Sequence, residues 1–335
     1  MGLYKPMAER IHTIEQLSLF QEENILLNGA IQDLHALRLE EAKKAFHEYR
    51  DIYPNGESVD DKLKLSVFLL DGLAKVSSAA FGEPEGLCHL WEDFENYSKS
   101  IGVDDGHLIT GIKKSFFKNV VDTINRYELA GAPFIADQMP TGYVYIQTGD
   151  YDRAITSLQA CLPLSSANAH IYGYLGDVYI LRGDPLYARK FYLEAFLIDP
   201  IAIDWRHFKD RELIALKEQI QEDQGVDHAI AAHWLPSYAY VRGMFKPKAI
   251  RQLEVLKTFV DDFLHINNTK LNDSSREQKA RLFLKAIILC DNEAFLRMVK
   301  GIDYADIRRR MKEINGPLFS DYMRHIEARN HKRLI

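Results

Sequence analysis

The chain has 335 residues, 47% hydrophobic and 27% charged, with a formal net charge of -6 and a mean hydropathy of -0.25. That length can bury a substantial core, as one elongated stack or two packed lobes, and the composition is ordinary for a soluble protein with no low-complexity segment. No run of 18 apolar residues exists, and the longest candidates, around Val67–Leu70 and Ala286–Cys290, are the size of helix cores rather than membrane spans.

Helical periodicity runs through the whole chain. It predicts helices over 8–22, 24–36, 39–52, 58–78, 84–100, 105–130, 134–148, 151–162 and 168–181. Further helices are predicted over 185–198, 209–222, 227–242, 247–265, 275–289, 291–300, 304–314 and 317–330. Connections carry Gly, Pro, Asn or Asp, as at Pro54-Asn55-Gly56, Gly82-Glu83-Pro84, Gly131-Ala132-Pro133, Gly243 and Asn315-Gly316-Pro317. Tyr143–Gln147 alternates enough to suggest a strand, but its surroundings favour helix. The polar stretch from Asn267 to Ser275 is the longest connection and the best domain boundary. The expected fold class is all-α.

Two segments repeat with a period of 34 residues: Gly142, Tyr145, Gly149 and Ala154 return as Gly176, Tyr179, Gly183 and Ala188. Small residues stand where two helices must approach: Gly142 and Gly176 on a first helix, Ala154 and Ala188 on a second. Tyr172, Leu175 and Tyr179 form an apolar stripe at helical spacing. Gly149-Asp150 and Gly183-Asp184 each supply a residue tolerant of positive φ and then an N-capping carboxylate. Pro185 suits the first turn of the following helix, and Pro200 closes the unit.

On these residues, 169–202 resembles a tetratricopeptide repeat, and 135–168 resembles a second, poorer copy. In the latter Pro140 falls inside the first helix, predicting a kink or a late start. A third copy is suggested by Leu39, Ala42, Phe46, Tyr49 and Tyr53-Pro54, although Leu37 takes the place of the turn glycine. Residues 227–260, with Pro236 and Gly243, read as a degenerate further hairpin. The resemblance implies a helix-turn-helix solenoid flanked by helices that depart from the repeat. It divides the chain into an N-terminal helical region (1–130), the hairpins (131–266) and a C-terminal capping bundle (275–335).

In that family the first helix of each pair lines a concave groove. Carried onto this chain, the groove residues are Met139, Tyr143, Ile146 and Gln147, then His170, Tyr174, Asp177 and Leu181. The family's carboxylate clamp needs Lys, Asn and Arg there. Tyr143, Gly173 and Asp177 disfavour it and point to an apolar helix or extended peptide with a basic residue for Asp177. The alternative is a groove filled by the chain's own helices.

A search for chemistry finds no phosphate-binding glycine loop, no nucleophile elbow and no His-Glu-x-x-His, so neither catalytic residues nor cofactors are expected. His228 and His233, five apart, are not expected to bind metal. Asp204-Trp205-Arg206-His207 offers an acid and a histidine on one helix face; a capping aspartate beside an aromatic anchor is the simpler reading. Cys88, Cys161 and Cys290 are widely spaced and odd in number, which disfavours a disulfide framework. The start, Met1-Gly2-Leu3-Tyr4-Lys5-Pro6, has no apolar signal region, and Pro6 spoils a myristoylation match, so a cytoplasmic location is expected.

Charge is uneven. Residues 1–100 hold 10 Lys+Arg and 18 Asp+Glu, whereas residues 300–335 hold 9 Lys+Arg and 5 Asp+Glu, including Arg308-Arg309-Arg310. The acidic and basic ends suggest self-association, and the basic end a less favoured contact with nucleic acid. The functional expectation is an adaptor or scaffold that holds a protein segment. The alternatives are a regulatory sensor of a peptide or small ligand, and nucleic-acid binding through the C-terminus.

Overall fold

The computed structural model describes residues 7–78, 83–103, 105–136, 139–248, 250, 253–264, 271 and 273–331. The start of the chain, the Gly82 turn, most of the Asn267–Ser274 connection and the terminal Lys332-Arg333 lie outside them. The chain divides into two compact units, residues 1–160 and 161–335. Both are all-α but for one short strand pair, and no described helix is long and apolar enough to cross a membrane.

The first unit contains α1 (Met7–His35), α2 (Leu39–Ile52), α3 (Asp60–Ser78), α4 (Glu83–Ser100), α5 (Gly106–Arg126), α6 (Thr141–Thr148) and α7 (Tyr151–Cys161), whose last residue opens the second unit. Helix α1 is continuous, where the sequence suggested a break near residue 23. Trp91 on α4 forms the aromatic centre, with Phe94, Phe116 and Phe117 rings 5.1, 5.2 and 5.6 Å away. All four rings are fully buried, and they pack α4 on α5.

At 134–136 and 139–140 the chain is strand, not the expected helix. Strands β1 (Phe134–Ala136) and β2 (Met139–Pro140) pair antiparallel, with Phe134 opposite Pro140 and Ala136 opposite Met139. Pro140 then stands at the N-cap of α6 with φ -70° and ψ 133°, so the helix starts late, as its missing N–H and fixed φ require.

The second unit holds α8 (Ala169–Leu181), α9 (Pro185–Ile198), α10 (Arg211–Gln224), α11 (His228–Val241), α12 (Leu253–Leu264), α13 (Arg276–Asp291), α14 (Glu293–Leu296), α15 (Tyr304–Ile314) and α16 (Gly316–His331). The predicted hairpin over 227–260 does not form as one. Helix α11 packs on α10 and α13, while α12 packs on α13. Pro236 is accommodated inside α11, fully within the core.

The repeated hairpins share their construction. Gly149 and Gly183 adopt φ +78° and +81°, and the amides of Asp150 and Asp184 bond to the carbonyls of Tyr145 and Tyr179. Asp150 and Asp184 then cap the second helix through the amides of Arg153 and Tyr187. A Cβ on Gly142 would lie 2.5 Å from Leu158 Cγ and 2.9 Å from the Ala154 carbonyl; one on Gly176 would lie 2.3 and 2.4 Å from Cε1 and Cδ1 of the Tyr192 ring. Leu158 and Tyr192 are themselves 34 residues apart, so one helix-to-helix contact is made twice with different side chains.

The N-terminal pair keeps this geometry without the glycine. Leu37 takes φ +58°, and the Arg38 amide bonds to the Asp33 carbonyl as Asp150 does to Tyr145. Ala30 and Ala42, buried at 1% and 0% exposure, are the small residues of this contact. A left-handed leucine costs roughly 1–2 kcal/mol, which the packing of α1 on α2 outweighs.

Candidate functional site

The eight expected groove residues fall four in each unit. In the first, Met139 lies on β2 rather than on a helix, half-buried, and Gln147 is half-buried on α6. Tyr143 and Ile146 are only 5% and 7% exposed. The Tyr143 ring stands edge-on to Phe117 at 6.0 Å, packed against α5. These two side chains are core, not ligand surface.

In the second unit His170 and Leu181 are exposed, at either end of α8. Tyr174 and Asp177 point into the chain's own structure. The Tyr174 hydroxyl donates to Asp204 Oδ2 at 3.0 Å. Asp177, 3% exposed, accepts from the Tyr192 hydroxyl at 2.7 Å and from the Lys209 amide at 2.8 Å, both at Oδ1. It is not an acid presented to a basic ligand. Burial pushes its carboxyl up to about 7, against the Tyr192 and Lys209 bonds that favour the charged form.

Asp204 and His207 do meet: His207 Nδ1 is 2.8 Å from Asp204 Oδ2. Burial opposes ionisation of Asp204, but His207, Tyr174 and Arg206 together hold its carboxyl at about 2. The expected capping role belongs instead to Asp210, which accepts from the amides of Glu212 and Leu213 at the start of α10. Trp205 is the expected anchor: its indole N–H donates to the Pro200 carbonyl and its ring lies 4.8 Å from Phe208. Tyr174, Asp204 and His207 therefore fasten the 199–210 connection to α8.

Sequence reasoning missed a second buried network. Asp291, at the end of α13, accepts from the Tyr240 hydroxyl at 2.7 Å, from Arg329 Nη1 at 3.2 Å and from the Lys248 amide at 3.3 Å. Asn292 accepts from the Ile250 amide and donates to the Lys248 carbonyl. These residues come from four separate stretches, so no local spacing announces them.

The basic C-terminal run is also engaged. Arg308 donates to the Tyr304 hydroxyl and lies over its ring, Arg309 pairs with Asp306, and Arg324 with Asp321. The thiols of Cys88, Cys161 and Cys290 are buried and outside any disulfide, and burial raises them to about 12, 11 and 12. Such thiols are poor nucleophiles. His228 Nδ1 faces the Lys217 ammonium at 2.9 Å, and among the described residues no group of three His, Cys, Asp or Glu is placed to hold a metal ion.

At the turn end of the α8–α9 hairpin three large apolar side chains, Leu181, Leu186 and Tyr187, are 37%, 58% and 39% exposed. Tyr187 meets Tyr179 edge-on at 4.6 Å, and Phe191 stacks on Tyr179 at 5.3 Å. The Lys190 ammonium lies 4.4 Å from the Tyr187 ring centre. Comparison with known proteins found no matching family model, no matching curated protein and no matching solved structure.

Proposed function

We propose that this protein is a non-catalytic adaptor of tetratricopeptide type that docks a segment of another protein at the turn end of the α8–α9 hairpin. The observation that carries this reading is the exposed cluster of Leu181, Leu186 and Tyr187 beside the Tyr179–Phe191 stack. Aromatic and aliphatic side chains held rigid by neighbours are the usual anchors of protein interfaces. Lys190, over Tyr187, favours a segment that carries a carboxylate next to its apolar anchor. Within the second unit Tyr174 and Asp177 are engaged by Asp204, Tyr192 and the Lys209 amide, which leaves the hairpin end as the surface offered to a partner. The three unbridged cysteines fit a reducing compartment, and the proposal places the protein in the cytoplasm.

The test is affinity capture from the source lysate with three proteins, each shown to be folded by circular dichroism. These are the wild type, Leu186→Asp/Tyr187→Asp, and Met139→Ala/Gln147→Ala. A partner kept by the wild type and the last variant but lost by the hairpin-end variant is expected. Retention of that partner by Leu186→Asp/Tyr187→Asp would overturn the docking site.

A further inference from the structure

We infer that the second unit carries a binding site for an anionic amphiphile, a molecule with one anionic head and one apolar chain, in the cleft that α9 forms with Met244–Lys248, Ile250 and α12. The inference stands on two adjoining cavities of about 350 and 580 Å³ that share Lys190, Glu194 and Lys248. Both volumes are in the usual range of small-molecule sites, about 300–1,000 Å³.

The smaller cavity is the charged one. Arg189, Lys190, Lys246 and Lys248 line it against a single acid, Glu194. Two of these cations are already compensated: Arg189 binds Asp210 at 3.0 Å and also Glu212, and Lys248 binds Glu194. Among the described residues no carboxylate pairs with Lys190 or Lys246. Leu193 and Phe245, buried at 6% and 3% exposure, form the floor beneath them. Two uncompensated ammonium groups over an apolar floor attract an anion, because the low dielectric beneath them strengthens the field on their open side.

The larger cavity takes the chain. Tyr172, Phe191, Leu197, Ile250, Val255 and Phe259 line it, and its charges all sit at the end shared with the first cavity. One end polar and cationic, the other apolar, is the complement of a head and a tail. A carboxylate and a phosphate monoester share the head chemistry, and Lys, as a point charge, accepts either.

The experiment is calorimetric titration of the full chain, below the critical micelle concentration of each probe. The probes are octanoate, decanoate, dodecanoate, dodecyl phosphate, dodecyltrimethylammonium and inorganic phosphate. Dodecanoate or dodecyl phosphate should bind, and the tighter of the two identifies the head. Each added methylene in the carboxylate series should tighten binding about two- to fourfold. Lys190→Glu/Lys246→Glu, at two exposed positions, should weaken the anionic probes at least tenfold with an unchanged melting temperature. Val255→Asp should abolish the chain-length dependence. The inference is overturned by equal binding of the cationic amphiphile, by equal binding of inorganic phosphate, by insensitivity to the lysine reversals, or by no binding of either dodecyl anion. Leu186 lines the smaller cavity as well as the hairpin end, so the separating variant is Val255→Asp, which lies only on the larger cavity. It should lose the amphiphile's chain-length dependence and keep partner capture, so the two can fail separately.

Discussion

Asp177 follows Gly176 on α8, and the two act on one ring. The glycine lets Tyr192 lie flat against the helix, and the carboxylate takes the tyrosine's proton-donor end at 2.7 Å. A carboxyl raised from 3.8 to about 7 holds its proton more tightly in the folded chain than in the unfolded one. The stability it contributes is complete below about pH 4 and is lost as pH rises through 7. Wild type should therefore lose stability between about pH 4 and 7 relative to Asp177→Asn, with a slope of at most about 1.4 kcal/mol per pH unit. Urea midpoints of both proteins across that interval check it; parallel profiles would mean that Asp177 is ionised throughout.

At the scale of elements, the α8–α9 hairpin depends on close approach at one point. Gly176→Ala puts a methyl into a Tyr192 ring that is fully buried and tied by its hydroxyl, so it cannot swing aside. A loss of roughly 1–3 kcal/mol is expected, on top of the modest gain in helix propensity. Gly173→Ala, three residues earlier, meets only Ile203 Cγ2 at 3.4 Å and should be near neutral. Equal thermal shifts for the two variants would refute the packing. The turn by itself does not define the repeat: the same left-handed closure ends other helices at Gly102, Glu128 and Gly243, where no matched hairpin follows. The pair of small residues makes the difference, since α1–α2 keeps it with Arg38 in place of a capping aspartate, and in the other two hairpins it was readable at the 34-residue period.

For the molecule as a whole, the uneven charge in the sequence overstates what the surface offers. Arg329 is consumed by Tyr240 and Asp291, and Arg308, Arg309 and Arg324 have partners of their own. The expected outcome is no binding of a 20-nucleotide RNA or DNA tighter than about 0.1 mM at physiological salt, measured by fluorescence anisotropy. Micromolar, salt-sensitive binding that Arg309→Glu/Arg310→Glu removes would restore a nucleic-acid role. The cations that matter more, Lys190, Lys246 and Lys248, sit on segments more than 50 residues apart, and only packing assembles them.

Local chemistry settled what depends on neighbours within a few turns of chain. Helical periodicity, the Asp caps, the glycine turns and the late start at Pro140 all follow from side-chain size, hydrogen-bonding reach and φ restriction. Tertiary structure decided which polar side chains face inward. Tyr143, Tyr174 and Asp177 occupy the outward positions of an idealised repeat. Phe117, the 199–210 connection and Tyr192 cover or claim them, because a buried polar group must find a partner wherever the fold supplies one. The same packing brought Met244–Lys248 against α9 and Asp291 against Tyr240 and Arg329. Those meetings depend on long-range closure, which no spacing along the chain encodes.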